Sequence, residues 1–315
     1  MLDCFKAYDI RGRMPDQLND GIVAAIAQAF AEKVEPKTAV VGADVRPDSP
    51  RFREIFIQVL TKQGCQVIDL GQCGTEEVYF NTADQQADLG IMVTASHNPI
   101  EYNGIKFVGK DAAPFSDKAL IASINARAAE LAAENASTFD LGPASTDHLA
   151  KDAYIQKLLS FVDVSALKPL KLVITSGNGA AGPIIDLLEP HLPFQIVKVN
   201  HEPDPSFPNG IPNPLLPERR ADTSNAVIDH GADMGIAFDG DFEKDFSYAI
   251  DKKKFKVEAV DAYFDEDIDK FIITTDKLRC EVLKKGLLVN IYDAFGNAIC
   301  EDDTGFYMKE SVMKG

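Results

Sequence analysis

The sequence lacks the features that mark several specialised classes of protein. No apolar run approaches the length of a membrane span, and the first six residues show no signal-peptide pattern. The five cysteines are an odd number and include no Cys-x-x-Cys pair, which argues against a disulfide framework and against a zinc site. We therefore expect free thiols, a reducing compartment and a cytoplasmic protein without a membrane partner.

Basic residues are also scarce. The chain has 32 Lys and Arg against 49 Asp and Glu, a net charge of −17, whereas general nucleic-acid binding needs a basic face. We therefore expect no nucleic-acid partner. The apolar fraction of 45% and charged fraction of 26% are typical of a globular protein, and 315 residues are enough for two or three domains.

Helix and strand patterns alternate through the first part of the chain. Helical spacing of apolar residues over 16–34 is followed by a strand pattern at 38–44, and a helix at 51–64 is followed by a strand at 65–70. The Ala-rich stretch at 117–135 predicts a closing helix. Such alternation predicts a mainly parallel sheet covered by helices.

A second unit follows a polar stretch at 146–148. It begins with a predicted helix at 153–162, and strands are predicted at 171–175 and 234–238. The glycine-rich turn at 176–182 precedes another helix, so its N–H groups could hold a phosphate. A tight connection from strand to helix explains the same pattern, because a single glycine-rich loop is a weak signal.

The chemistry-bearing feature is the stretch Thr-Ala-Ser-His-Asn-Pro around Ser96. It follows the apolar run 89–93, which predicts a buried strand, and open α/β sheets bind ligands at the carboxyl ends of such strands. A serine nucleophile needs a nearby base or stabilising charges, and His97 and Lys106 are the local candidates. Alternatively the stretch is only a strand-ending turn, since Ser, Asn and Pro are common in turns.

Five segments in order carry a family resemblance. They are Tyr8–Gly12, Gly42–Arg46, Thr94–Pro99 with Asn103–Lys106, Pro203–Glu218 and Asp239–Asp241. Together they resemble the motifs of the α-D-phosphohexomutases, the phosphomannomutase/phosphoglucomutase family, over roughly residues 1 to 245. Within that family the likeness is closest to the bacterial phosphomannomutases of nucleotide-sugar synthesis.

The resemblance implies an α/β fold with two mutase-type doubly wound domains and a short β-rich carboxyl-terminal tail. Domain I, with the phosphoserine loop, is expected over 1–146. Domain II, with the metal loop, is expected over 147–250, and the tail over 251–315.

By the same resemblance, Ser96 is expected to carry a phosphoryl group and to bind Mg²⁺ through it, together with Asp239 and Asp241. The family pattern Asp-Gly-Asp-x-Asp-Arg is altered here, because its last two positions are Glu243 and Lys244. Glu243 would be a third, longer metal ligand. Lys244 would contact phosphate without the planar, bidentate grip of arginine. The alternative is a bare acidic turn.

Further roles are implied for residues near the phosphoserine. Tyr8 and Arg11 would approach the phosphate, although Arg11 could equally form a surface ion pair. Lys106 would act as general acid or base, since a lysine near other cations can have a lowered pKa, or would be a solvated lysine. His97 would hydrogen-bond the phosphoserine or hold the loop. Arg46 is expected to support the loops through a carboxylate partner.

The implied function is interconversion of hexose 6-phosphate and hexose 1-phosphate through a phosphoserine and a 1,6-bisphosphate. The loops of domains III and IV that grip the sugar and its distal phosphate in the family are not found in this sequence. We therefore expect impaired turnover. A non-catalytic, degenerate or phosphosugar-binding protein is the second reading, and a phosphatase that releases phosphate to water is the third.

The tail differs in character. Residues 274–282 and 287–292 alternate like strands of an antiparallel hairpin or meander, with a turn at 293–297. The tail weakly resembles part of the β-sandwich of family-31 α-glucosidases. The acidic run over 265–269 is either a solvated face or a calcium loop, and it lacks the spaced glycine of the latter.

Overall fold

The computed structural model describes residues 1–6, 9–134, 147–148, 151–242, 248–251, 263–267, 269–274, 278–283, 289–293 and 295–301. The chain divides into two compact units, residues 1–253 and 254–315, which are described separately. Among the described residues, no helix combines the length and apolar character needed to cross a membrane.

The first unit contains a six-stranded mixed sheet in the order β1-β5-β4-β2-β3-β6. Its strands are β1 (Asp9–Arg13), β2 (Thr38–Ala43), β3 (Gln66–Gln72), β4 (Leu89–Val93), β5 (Tyr102–Gly109) and β6 (Asp147–His148). β4, β2, β3 and β6 are parallel, whereas β5 runs antiparallel to both β4 and β1.

Helices cover both faces of this sheet. They are α1 (Asp20–Val34), α2 (Ser49–Lys62), α3 (Thr75–Asp84) and α4 (Lys118–Glu134). Successive residues of a strand point to opposite faces, so Ile91 packs in the cluster that includes α1, α2 and α4, and Met92 packs with Val78 of α3. The doubly wound arrangement that the sequence predicts is therefore present.

A second sheet of the same unit has the order β10-β9-β7-β8. Its strands are β7 (Lys171–Thr175), β8 (Gln195–Val199), β9 (Met234–Ala237) and β10 (Tyr248–Asp251), and its helices are α5 (Asp152–Leu159), α6 (Ala181–Leu188) and α7 (Pro217–His230). Val173 packs against Val227 of α7, and Ile174 packs with Ile185 of α6, so helices lie on both faces here too.

The sheet of the first domain is mainly parallel, as predicted, with three parallel and two antiparallel pairings. The strand β5 is antiparallel because residues 94–101 connect it to β4 directly, and a parallel crossover needs a dozen or more residues. One prediction needs correction. α1 begins at Asp20 and not at residue 16. Residues 14–17 form a turn, and the side chain of Asn19 caps the helix by accepting from the Ile22 N–H at 3.0 Å.

The second unit contains a five-stranded antiparallel meander in chain order. Its strands are β11 (Tyr263–Glu266), β12 (Lys270–Thr274), β13 (Leu278–Leu283), β14 (Val289–Asp293) and β15 (Ala298–Glu301). The predicted antiparallel pairing in the tail is confirmed, as is the turn after Asp293. In the acidic run, Asp265, Asp267 and Asp269 are exposed, as expected for a solvated face.

Candidate active site

Ser96 lies in the loop between β4 and β5 and is buried. Its backbone is left-handed, with φ at 51°, and its N–H donates to Thr94 Oγ1 at 2.8 Å. The hydroxyl donates to Asp239 Oδ2 at 2.7 Å and lies 3.1 Å from His97 Nδ1. A non-glycine residue in this conformation is uncommon and is held by its surroundings.

The guanidinium of Arg46 donates hydrogen bonds to the backbone of this loop and of the adjoining strand. Nη1 donates to the carbonyls of Pro99 and Tyr102 at 2.9 and 3.0 Å. Nη2 donates to the carbonyls of Ser96 and Asn98 at 2.8 and 2.5 Å. The side chain is 1% exposed, so a single buried, planar cation satisfies four backbone carbonyls.

Asp44 is the carboxylate partner of Arg46. Its Oδ2 lies 3.5 Å from Arg46 Nε and accepts from Thr94 Oγ1 at 2.7 Å, and its Oδ1 accepts from Ser49 Oγ at 2.6 Å. Because Thr94 Oγ1 in turn accepts from the Ser96 N–H, Asp44 fixes the serine through one intervening hydroxyl. The expected support by Arg46 is present and extends well beyond one ion pair.

Two further carboxylates of the site lie just after a strand of the second sheet. Asp239 and Asp241 follow β9 and are completely buried. Asp241 Oδ2 accepts from Lys106 Nζ at 2.9 Å and from Thr75 Oγ1 at 2.7 Å, and the Asp241 carbonyl accepts from the Thr75 N–H at 3.0 Å. The structure thus brings Ser96, both aspartates and Lys106 together. The neighbour of Lys106 is an acid, whereas the sequence argument assumed neighbouring cations.

Glycines allow the close approach of these loops. A Cβ on Gly240 would lie 2.8 Å from the Ser96 carbonyl oxygen, and a Cβ on Gly179 would lie 2.8 Å from the Gly240 carbonyl oxygen. The Ala180 N–H donates to that same Gly240 carbonyl at 3.1 Å. The glycine-rich turn at 176–182 therefore supports the acidic loop, which favours the connection over the phosphate cradle.

The two aspartates differ in electrostatics. Burial, with the nearby charge of Asp241, raises the pKa of Asp239 to about 6. Burial also acts to raise the pKa of Asp241, but the Lys106 ammonium and the Thr75 hydroxyl outweigh it and hold that pKa below its ordinary value. A buried carboxylate pair with unequal pKa values is typical of functional sites.

The donor atoms fit a hard divalent cation. Asp239 Oδ1 and Asp241 Oδ1 are both buried and have no hydrogen-bond partner. Buried polar atoms are normally paired, and Mg²⁺ favours one or two carboxylates supplemented by phosphate oxygens and water. Within the part of the chain that the structure describes, no group of three or more His, Cys, Asp or Glu side chains is placed to hold a metal.

Arg11 lies on β1 opposite Gly104 of β5. Its Nη2 donates to Asp9 Oδ2 at 2.7 Å, while its Nε is buried without a hydrogen-bond partner. The side chain is 30% exposed, so the expected ion pair is present and part of the guanidinium still has donor capacity. The remaining predicted site residues lie outside the described residues. They are Tyr8, Glu243 and Lys244.

Sequence reasoning missed two residues of this centre. Thr75, at the start of α3, contacts Asp241, and Asp44 connects Arg46 to the serine loop. Asp44 lay within a recognised motif but had no assigned role. The signal for Thr75 was limited to a glycine and a threonine before a Glu-Glu pair, a helix-start pattern that says nothing about a partner far along the chain.

Two domain models of one protein family match this chain. The family model described as phosphoglucomutase/phosphomannomutase, alpha/beta/alpha domain I, matches residues 3–135, and the model of domain II matches residues 152–254. The chain is 53% identical over 248 residues to "Phosphohexose mutases" of Xanthomonas campestris, covering 78% of this chain and 54% of that protein. It is 49% identical over 253 residues to a phosphomannomutase of Salmonella montevideo, covering 78% of this chain and 55% of that protein.

A solved structure is similar in fold. It is a phosphoglucomutase/phosphomannomutase family protein from Burkholderia thailandensis, with a TM-score of 0.66 and 27% identity, covering 95% of this chain and 56% of that one. The chain spans about half the length of the curated relatives it matches.

Proposed function

We propose, from the premise that the chain belongs to the phosphoglucomutase/phosphomannomutase family and matches its domains I and II, that Ser96 accepts and returns a phosphoryl group. The reaction served is the interconversion of hexose 6-phosphate and hexose 1-phosphate through a 1,6-bisphosphate. The proposed sugar is mannose or another hexose, as the names of the relatives, phosphomannomutase and phosphohexose mutases, indicate.

One observation carries this proposal. The Ser96 hydroxyl donates to Asp239 at 2.7 Å, and Asp239 and Asp241 each keep one buried oxygen without a hydrogen-bond partner. A phosphorylated Ser96 would bring oxygens to the same place, so carboxylate and phosphate oxygens would surround one cation. Asp239, Asp241 and the Ser96 phosphate would hold Mg²⁺, with Glu243 as a further ligand by resemblance.

The transfer step exchanges one phosphorus–oxygen bond for another. A sugar hydroxyl oxygen forms a bond to the phosphorus of phosphoserine, the bond from phosphorus to Ser96 Oγ breaks, and the serine oxygen keeps the electron pair. Lys106, in its uncharged form, accepts the proton of the attacking sugar hydroxyl and returns it when the transfer runs in reverse. When bound, Mg²⁺ would neutralise charge on the phosphoryl oxygens. Arg11 would donate to those oxygens through the Nε that has no partner, and His97 would hydrogen-bond the serine oxygen.

Two further contacts rest on resemblance alone. Tyr8 would approach the phosphate from the amino-terminal signature, and Lys244 would contact phosphate as a point charge, where the family has arginine. A longer Glu243 and a lysine in that position favour weaker cation and phosphate binding than the family pattern gives.

A second candidate function is sugar-phosphate binding without turnover. It is favoured by the altered acidic loop, where Glu243 and Lys244 stand at the positions of the family's aspartate and arginine. A longer carboxylate and a lysine without the bidentate grip of arginine would support transfer less well than binding.

A coupled mutase assay tests these alternatives. The full chain is supplied with Mg²⁺, mannose 1-phosphate or glucose 1-phosphate, and a trace of the hexose 1,6-bisphosphate. Ser96→Ala is the test variant, and Ser160→Ala, at an exposed serine after α5, is the matched control. Isomerisation that disappears only in Ser96→Ala supports the mutase. Phosphate release without isomerisation identifies a phosphatase, and retained binding without either reaction identifies a binding protein.

A further inference from the structure

The structure assigns Thr75 as the positioning residue that selects which oxygen of Asp241 faces the cation. The assignment rests on the proposed function, since it concerns the same acidic loop. Thr75 acts through Asp241 and not by contact with the phosphoryl group or the sugar.

Thr75 makes two hydrogen bonds to one residue. Its hydroxyl donates to Asp241 Oδ2 at 2.7 Å, and its N–H donates to the Asp241 carbonyl at 3.0 Å. Both residues are completely buried. The bond from the N–H fixes the backbone of Asp241 beside the start of α3, and the bond from the hydroxyl then directs one particular carboxylate oxygen toward Thr75.

The two carboxylate oxygens of Asp241 have different hydrogen-bond partners. Oδ2 accepts from Thr75 Oγ1 and also from Lys106 Nζ at 2.9 Å, whereas Oδ1 is buried and has no hydrogen-bond partner. Asp239 shows the same division, with Oδ2 bonded to Ser96 and Oδ1 without a partner. Thr75 therefore keeps one oxygen of Asp241 occupied and leaves the other for a cation. Residues that orient a ligand in this way strongly affect metal affinity.

Thr75 also connects the two matched domains. It begins α3, within the residues matched by the domain I model, and Asp241 lies within those matched by the domain II model. The start of a helix favours a negative charge, because the helix N–H groups point toward it. Phe242, the residue after Asp241, packs against Gly74, the residue before α3. The chain next to Asp241 therefore contacts the same helix start as Asp241 itself.

Binding of Mn²⁺ to the full chain, measured by electron paramagnetic resonance, tests the assignment without any activity. Thr75→Val removes the hydroxyl and keeps the shape, and we expect it to weaken Mn²⁺ binding about tenfold or more. Thr75→Ser keeps the hydroxyl and should bind within about threefold of the wild type. Thr82→Val is the matched control, because Thr82 is a buried threonine of the same helix whose hydroxyl donates only to the Val78 carbonyl at 2.6 Å.

The outcomes separate this assignment from the proposed function. Equal Mn²⁺ binding by the wild type and Thr75→Val overturns the assignment alone. Absence of Mn²⁺ binding by the wild-type chain overturns the proposed cation site, and the assignment with it. If Thr75→Val does not fold, comparing Thr75→Ala with Thr75→Ser replaces it, and the assignment requires weaker binding by the alanine variant.

Discussion

Replacing Arg46 by methionine should strongly destabilise the first unit. The substitution removes the cation that satisfies four backbone carbonyls and leaves Asp44 buried without its counter-charge. Methionine fills much of the same volume, so the loss is electrostatic. Removing one partner of a buried ion pair typically costs about 3–5 kcal/mol, and we expect a decrease in the free energy of unfolding of that size.

Urea unfolding followed by far-ultraviolet circular dichroism measures this loss. All helices among the described residues lie in the first unit, so the helical signal reports on it. Arg51→Met is the matched control, because Arg51 pairs with Asp20 at 3.0 Å while both side chains are about half exposed. Such a surface pair contributes about 0–1 kcal/mol.

Arg46→Lys separates charge from shape. Lysine keeps the positive charge but lacks the planar fork that reaches carbonyls on two sides, so most of the stability loss should remain. A loss below about 1 kcal/mol in Arg46→Met, equal to that in Arg51→Met, would refute the reasoning. Full recovery in Arg46→Lys would show that charge alone holds the loop.

Three further predictions concern other parts of the first unit. Gly240→Ala should weaken Mn²⁺ binding about tenfold or more in folded protein, because its Cβ would lie 2.8 Å from the Ser96 carbonyl; unchanged affinity contradicts this. Burial raises the pKa of Glu77 despite Lys151 at 2.6 Å, and Lys151→Met should raise it further. A carboxyl whose pKa is raised in the folded state destabilises the fold as pH rises through that pKa. Urea unfolding of Lys151→Met should therefore show a decrease in the free energy of unfolding of about 1–3 kcal/mol near pH 8 and a smaller decrease near pH 5. Burial raises the pKa of the Cys4 thiol from 9.0 to about 11, so iodoacetamide near pH 8 should label it about a hundredfold more slowly in native protein than in urea, as mass spectrometry would show.

Local patterns predicted much of the fold. The strands at 89–93 and 171–175 were predicted with the bounds that the structure has, because each is a short apolar run between turn formers. The direction of β5 was not predicted. The antiparallel direction follows from the connection through Ser96, which is too short for a parallel crossover.

The candidate site was partly predictable for a related reason. Ser96, Asp239 and Asp241 stand at strand ends, where the position of a residue in the sequence indicates its place at the sheet edge. The partner of each was not predictable, because the hydrogen bond from Ser96 to Asp239 and that from Thr75 to Asp241 join residues that follow strands of different sheets. Periodicity describes one element at a time and carries no information on such pairs.

Transfer of a phosphoryl group to Ser96 is the most direct test of the central claim. The full chain is incubated with Mg²⁺ and glucose 1,6-bisphosphate, and the modified residue is located by peptide mass spectrometry, with Asp239→Asn and Ser160→Ala alongside. We predict one phosphoryl group, on Ser96, in the wild type and in Ser160→Ala, and a strongly reduced amount in Asp239→Asn. A folded chain that stays unmodified at Ser96, or is modified elsewhere to the same extent in all three, would contradict the account.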